Sequence, residues 1–250
     1  MKIRILLLLL VFPFIFSSLT GNENAYDIVK KMDDKLKGKT TEAEIKIEII
    51  RPKWQRELTM SVWTKGANYS MIYINSPVKE KGTAFLKRNK EVWNWVPSIE
   101  KIIKLPPSMM SQAWMGTDFT NDDLVKHNSL LEDYVHEMKG EVTIDNRLCY
   151  KISMTPKPDA AVVWGKIITY IDKKDFIQMK AEFYDEDETL INVMVGKDIK
   201  LLGGKLLASR IEMTPMDKKQ QKTVLTYNSL VFDKEIADNF FSPDKMKSLK

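Results

Sequence analysis

The chain has 250 residues, 44% hydrophobic and 29% charged, which is enough for one sizeable core. Its 39 basic and 34 acidic side chains leave a net charge of +5 and alternate in sign along the chain, which argues against a nucleic-acid footprint. Cys149 is the one cysteine, so no intramolecular disulfide can form, and with only two histidines it offers no convincing transition-metal site.

The N-terminus reads as a secretory signal peptide. Lys2 and Arg4 precede an apolar run from position 5 to 16, broken only by Pro13 and followed by Ser17, Ser18, Thr20 and Gly21. A run of that length is too short to cross a bilayer as a helix. Removal of residues 1–20 is expected, leaving one domain over 21–250. Cys149 lies far from that cut, so it provides no thiol for a lipid anchor. The product is expected to be a soluble periplasmic protein.

One amphipathic helix follows. Ala25, Ile28, Val29, Met32 and Leu36 recur at spacings of three and four, with Asn24 as N-cap and Gly38 as the stop. From Thr41 the period changes to two: Ala43, Ile45, Ile47 and Ile49 alternate with Glu44, Lys46 and Glu48. Further strand runs carry Leu58, Met60 and Val62, then span 69–74, 84–88, 92–96 and 101–105. After an irregular stretch come 134–144, then Leu148, Tyr150, Ile152 and Met154, then 164–171. Ile177, Met179, Ala181 and Phe183 lead on to 190–202, 206–213 and 223–232. Turns are expected at Asn89-Lys90, Asp145-Asn146, 172–175 and Gly203-Gly204. We count about eleven or twelve strands. A meander of that size with one dry face must close or half-close on itself. The inward list is Ile45, Ile47, Ile49, Leu58, Met60, Val62, Ile152, Met154, Met179 and Phe183. Three segments are available to cover it: the N-terminal helix, the region 107–125 and a C-terminal piece at 235–246.

Residues 91–124 break the pattern and hold three Trp, three Met and three Pro. Pro106 and Pro107 end a strand because neither can donate to a ladder. Ser108 is expected to cap a short helix carrying Met109, Met110, Ala113, Trp114 and Met115. Gly116 releases the chain, and Thr120 with Asp123 reads as a capping-box variant opening another helix. Methionines conform to ligands of varied shape, but the same side chains could simply plug a barrel. At the first hairpin, Arg51, Lys53, Trp54 and Arg56 suit a lipid headgroup or a membrane interface, or alternatively a solvated turn.

These residues carry a resemblance. Trp93, Trp95 and Pro97, then Pro106-Pro107-Ser108, then Met115-Gly116, Asp118-Phe119 and Asp123-Leu124 resemble the signature of the outer-membrane lipoprotein-sorting (LolA-like) family. Phe240, Phe241 and Pro243 resemble its closing motif. The resemblance implies an incomplete antiparallel β-barrel with helices covering the concave apolar face, and a carrier of lipid or lipoprotein acyl chains between membranes. An inner-membrane transporter and an outer-membrane receptor would be its partners. Where relatives place a basic residue after the strand-end proline, this chain has Glu100-Lys101. The expected acyl site comprises Trp93, Trp95, Met109, Met110, Trp114, Met115, Phe119, Ile45, Ile47 and Met60, with Arg51, Trp54 and Arg56 as headgroup or membrane contacts. No cofactor, metal or catalytic residue is expected. A lipid hydrolase is the competing enzyme reading, since Ser108, Ser111, His127, His136, Asp118, Asp122 and Asp123 lie close in sequence. No Gly-x-Ser-x-Gly elbow accompanies them. An accessory protein of an envelope transporter, binding a protein segment, is the other alternative.

Overall fold

The computed structural model describes residues 24–126 and 129–249, without the side chains of 125–129. The expected signal peptide and His127 lie outside the described residues. The helix forms as read: α1 (Ala25–Leu36) is capped by Asn24, whose side chain accepts from the Asp27 N–H at 2.8 Å. Its stop differs from the expectation. Lys37 is already extended, and Gly38 instead allows a close approach: a Cβ there would lie 2.6 Å from an Asp233 carboxylate oxygen.

Every predicted strand run is a separate strand, which brings the number among the described residues to thirteen, above the expected eleven or twelve. These are β1 (Thr40–Arg51), β2 (Trp54–Lys65), β3 (Tyr69–Ser76), β4 (Ala84–Arg88), β5 (Glu91–Val96), β6 (Lys101–Lys104) and β7 (Tyr134–Ile144). They continue with β8 (Arg147–Pro156), β9 (Lys166–Asp172), β10 (Gln178–Tyr184), β11 (Leu190–Leu202), β12 (Lys205–Pro215) and β13 (Lys222–Phe232). All lie in one antiparallel sheet of order β6-β5-β4-β3-β2-β1-β13-β12-β11-β10-β9-β8-β7. The hairpin turns carry the chemistry their sequences promise. Asp145 and Asn146, for example, hold φ values of 47° and 61°, the left-handed pair that a two-residue turn needs.

The sheet does not close. The chain begins at its centre, runs outward by hairpins to the edge strand β6, and resumes at the opposite edge, β7. The connection between β6 and β7 must therefore cross the open side of the half-barrel, which is why the irregular stretch becomes its cover. A short helix, α2 (Ser129–Glu132), completes that connection.

The concave face holds the main core: Ile45, Ile47, Ile49, Leu58, Met60, Ile152, Met154 and Phe183 pack with Ile28, Val29 and Met32 of α1 and with Trp114 and Phe119 of the crossing segment. Burying each of the three α1 side chains contributes about 1.5–3 kcal/mol.

Two expectations about faces are corrected. Met179 belongs to a separate cluster with Cys149, Tyr170 and Ala208, because a bulge between Gln178 and Lys180 turns it out of the concave face. The C-terminal piece, with helix α3 (Pro243–Ser248), packs on the opposite face of the sheet. There Phe240, Phe241 and Met246 cover Trp63, Met71, Tyr73 and Leu86. That half of the sheet is apolar on both sides.

His136 on β7 joins this packing. One ring nitrogen lies 2.8 Å from the Leu130 carbonyl oxygen, and the ring meets Tyr26 of α1 edge-on at 5.5 Å. Burial, with Lys157 adding to it, pushes its pKa below the usual 6.5. The folded state therefore favours the neutral ring, while the unfolded chain takes up the proton first as pH falls. The stability this group supports is complete above pH 6.5 and declines below it. Thermal unfolding followed from about pH 8 to pH 5 should show that decline in the parent and a shallower one in His136→Gln. Identical slopes would refute the assignment.

Candidate functional site

The cover is not the helix that spacing suggests. It consists of two separate single 3₁₀ turns, Pro107–Met109 and Trp114–Gly116. Pro106 stands at the N-cap and offers no side-chain acceptor, while Ser108 lies inside the turn and cannot cap it. Met115 and Gly116 then take φ values of 47° and 77°, reversing the chain. The Trp114 N–H donates to the Phe119 carbonyl at 2.8 Å, and the Thr117 hydroxyl to the Trp114 carbonyl at 2.7 Å, closing a tight loop.

The capping box forms as expected, at the mouth of a π-helical turn (Asp122–Lys126). Thr120 N–H donates to the Asp123 carboxylate at 2.8 Å, and Asp123 N–H to the Thr120 hydroxyl at 3.1 Å. The Trp164 indole also donates to Asp123 at 2.9 Å, and desolvation pushes this carboxyl above the usual carboxylate range.

Arg51 has a different place from the one foreseen. Its guanidinium meets both Asp118 oxygens at 3.0 Å, donates to the Gly116 carbonyl at 3.0 Å and reaches the Lys222 carbonyl at 3.2 Å. Asp118 also accepts from the Thr223 hydroxyl at 2.7 Å, and its own N–H donates to that hydroxyl at 2.9 Å. Asn192 donates to the Asp118 carbonyl at 3.1 Å. Arg56 bonds the Met115 carbonyl and faces Glu80 at 3.4 Å. Both arginines thus hold the loop 115–118 against the ends of β1, β13 and β2. Arg51 is largely covered in doing so, with 11% of its side chain exposed, and Arg56 keeps 33%. Trp54 alone of the three projects into solvent, 50% exposed.

Of the expected acyl-site residues, Ile45, Ile47, Met60, Trp114 and Phe119 come together in the concave core, with Met115 packed at its margin. Trp114 is wholly buried, 5.5 Å from the Phe85 ring, and its indole N–H has no hydrogen-bond partner. Met109 and Met110 are half-buried in the cover and join no core cluster. Trp93 and Trp95 pack on the other face of the sheet, beneath the C-terminal piece, so they do not line the concave side. The sequence offers Asp118 only as part of the Met-Gly-x-Asp-Phe motif and as one acid of the hydrolase alternative, not as the partner of Arg51. Thr223, Asn192 and Trp164 gave no local signal.

Beside the core remains a cavity of about 70 Å³ lined by Leu36, Ala43, Ile45, Val62, Leu124 and Tyr227 among others. Ligand pockets usually measure about 300–1,000 Å³, and the centre of the concave face is filled by Trp114 and Phe119. A larger groove of about 470 Å³ lies between the turns at 145–148 and 172–175, but it is open, shallow and bridged by the Arg147–Asp172 ion pair. Seven of its eight lining residues are polar or charged.

A family model described as "Uncharacterized protein" matches residues 66–248. No curated protein matches the chain in sequence. Among solved structures, a DUF1329 family protein from Desulfovibrio piger superposes with a TM-score of 0.81 at 18% identity, covering 89% of this chain and 97% of that one. A LolA superfamily protein from Nitrosomonas europaea gives 0.78 at 23%, covering 89% and 99%. A domain described as an outer membrane lipoprotein-sorting protein, from Vibrio parahaemolyticus, gives 0.79 at 18%, covering 89% and 98%. At these identities the likeness shows the fold, and it is the one the central motif implies.

Proposed function

The chain belongs to the family matched over residues 66–248, and from its likeness in fold to the LolA superfamily protein and the lipoprotein-sorting domain we propose that it is an exported, periplasmic carrier of acyl chains. The cargo would be a lipid or the acylated end of a lipoprotein, taken from one membrane and released at another, with transporter and receptor proteins at the two ends. Among the described residues no helix is long and apolar enough to cross a membrane.

One observation carries the proposal. The apolar concave face is covered by a crossing segment that is not part of the sheet and that is fastened near its middle by Arg51, Arg56 and Thr223. Withdrawing the loop 113–120 breaks no strand ladder beyond the lone Ala113–Thr120 bridge inside the loop itself. It would vacate the space held by Trp114 and Phe119, continuous with the apolar walls of β1, β2 and β3. Transfer of an acyl chain of about 14–16 carbons from water is worth on the order of 10 kcal/mol. Part of that offsets displacement of the two aromatic side chains and the remainder holds the cargo.

The test is direct. Organic extraction of the purified protein should yield co-purifying lipid by mass spectrometry, and a fluorescent fatty acid should bind and be displaced by unlabelled fatty acid. Absence of both, in the parent and in a variant with the fastening broken (Arg51→Ala), would sink the carrier reading.

A further inference from the structure

The end of the half-barrel that carries the Arg51 fastening has a second character. Three hairpin tips stand there side by side: the β1–β2 turn at 52 and 53, the β3–β4 loop at 77–83 and the β12–β13 loop at 216–221. Their strands are neighbours in the order β4-β3-β2-β1-β13-β12. Each tip exposes one large apolar side chain. Trp54 is 50% exposed, Val78 90% and Met216 52%. Around them lie Lys53, Lys79, Lys81, Lys218 and Lys219, all exposed and none in an ion pair among the described residues. The acids of these loops are Asp217 and Glu80, and Glu80 already faces Arg56 at 3.4 Å. Isolated exposed apolar residues are ordinary; three on adjoining tips, ringed by unpaired lysines, are not.

The same end of the sheet is asymmetric. The next hairpin along, between β10 and β11, carries Asp185, Glu186, Asp187 and Glu188, of which Glu188 pairs with Lys166 at 2.8 Å. The three tips of this rim are therefore cationic with apolar side chains, and the β10–β11 tip is anionic without one. A negatively charged plane attracts the three and repels the fourth, which defines an approach angle as well as an attraction.

We propose that this part of the rim docks the protein on a bilayer surface rich in anionic phospholipid. Trp suits the headgroup level, where its ring is apolar and its N–H remains wet. Val78 and Met216 enter the outer edge of the acyl region, while the lysines extend along the headgroups. Each lysine held near an anionic surface adds roughly fivefold in affinity, so five give usable binding from individually weak contacts. The Trp54 ring lies 5.8 Å from the Arg51 guanidinium carbon, so the turn that enters the interface is the turn that fastens the cover. Docking depends on the rim alone and not on what the concave face holds, so it stands or falls separately from the carrier reading.

The experiment uses the purified processed protein with vesicles of phosphatidylcholine alone or mixed with phosphatidylglycerol. Co-flotation should occur with the mixed vesicles, weaken with added salt and be negligible with phosphatidylcholine. Tryptophan emission should shift to the blue on binding, and Trp54→Phe should abolish most of that shift. Lys218→Glu with Lys219→Glu should weaken binding about tenfold or more without changing the thermal unfolding midpoint. Val78→Ala with Met216→Ala should weaken it by a smaller factor. Failure of the folded protein to float with mixed vesicles overturns the proposal. So does binding that is indifferent to both the lysine and the Trp54 variants. Binding to a purified acidic protein without vesicle binding would assign the rim to a protein partner and overturn it equally.

Discussion

Replacing Arg51 with alanine is expected to destabilise the protein by about 3–5 kcal/mol, because Asp118 is then left as a buried carboxylate without its counter-charge. Asp118 keeps only 5% of its side-chain exposure, and the Thr223 hydroxyl alone cannot replace two guanidinium bonds. The loss should be local in origin. Hydrogen exchange should quicken over residues 113–120 before it does so in β1 or β13, and a fluorescent fatty acid should load faster. Asp118→Asn in the same background removes the uncompensated charge, so the double variant should recover part of the loss. Equal stability of Arg51→Ala and Arg51→Ala/Asp118→Asn, with unchanged exchange in the loop, would show that this pair does not fasten the cover.

The second large effect concerns Trp114. Truncation to alanine should cost about 3–5 kcal/mol, the range for a fully buried aromatic residue. Trp114→Phe should cost far less than its lost volume suggests, because the indole N–H it removes is buried without a partner, a group whose desolvation penalises the folded state by about 1–3 kcal/mol. The two readings of this residue separate on binding. If Trp114 occupies cargo space, Trp114→Ala lowers the urea midpoint and raises fatty-acid affinity together. If it is ordinary core, stability falls and affinity does not rise.

Strands and turns were legible because alternation and turn chemistry are local. The thirteen runs and the Asp145-Asn146 turn needed no knowledge of partners. The site was only half legible. Alternation says that Trp93 and Val92 face opposite ways, but not which way is concave, and β4 and β5 are apolar on both sides. The bulge beside Met179 reverses a face with no mark in the sequence. Arg51 read as a headgroup contact or a solvated turn residue because its partner lies 67 positions away, and only the crossing from β6 to β7 brings the two together. Asp118 was in view as part of a motif and as one acid of the hydrolase alternative, but its pairing with Arg51 was not.

The unjoined edges β6 and β7 carry a last consequence. In a closed barrel, strand number and stagger fix the circumference, so a bulkier guest must break a ladder. Here the circumference is not fixed. The sheet can uncurl by small changes of twist spread over twelve strand pairings, each ladder intact, and the gap between its edges takes up the difference. On the carrier proposal, cargoes with one, two or three acyl chains would then differ in how far the half-barrel opens rather than in whether they fit. Small-angle scattering of loaded and empty protein should register that change in breadth.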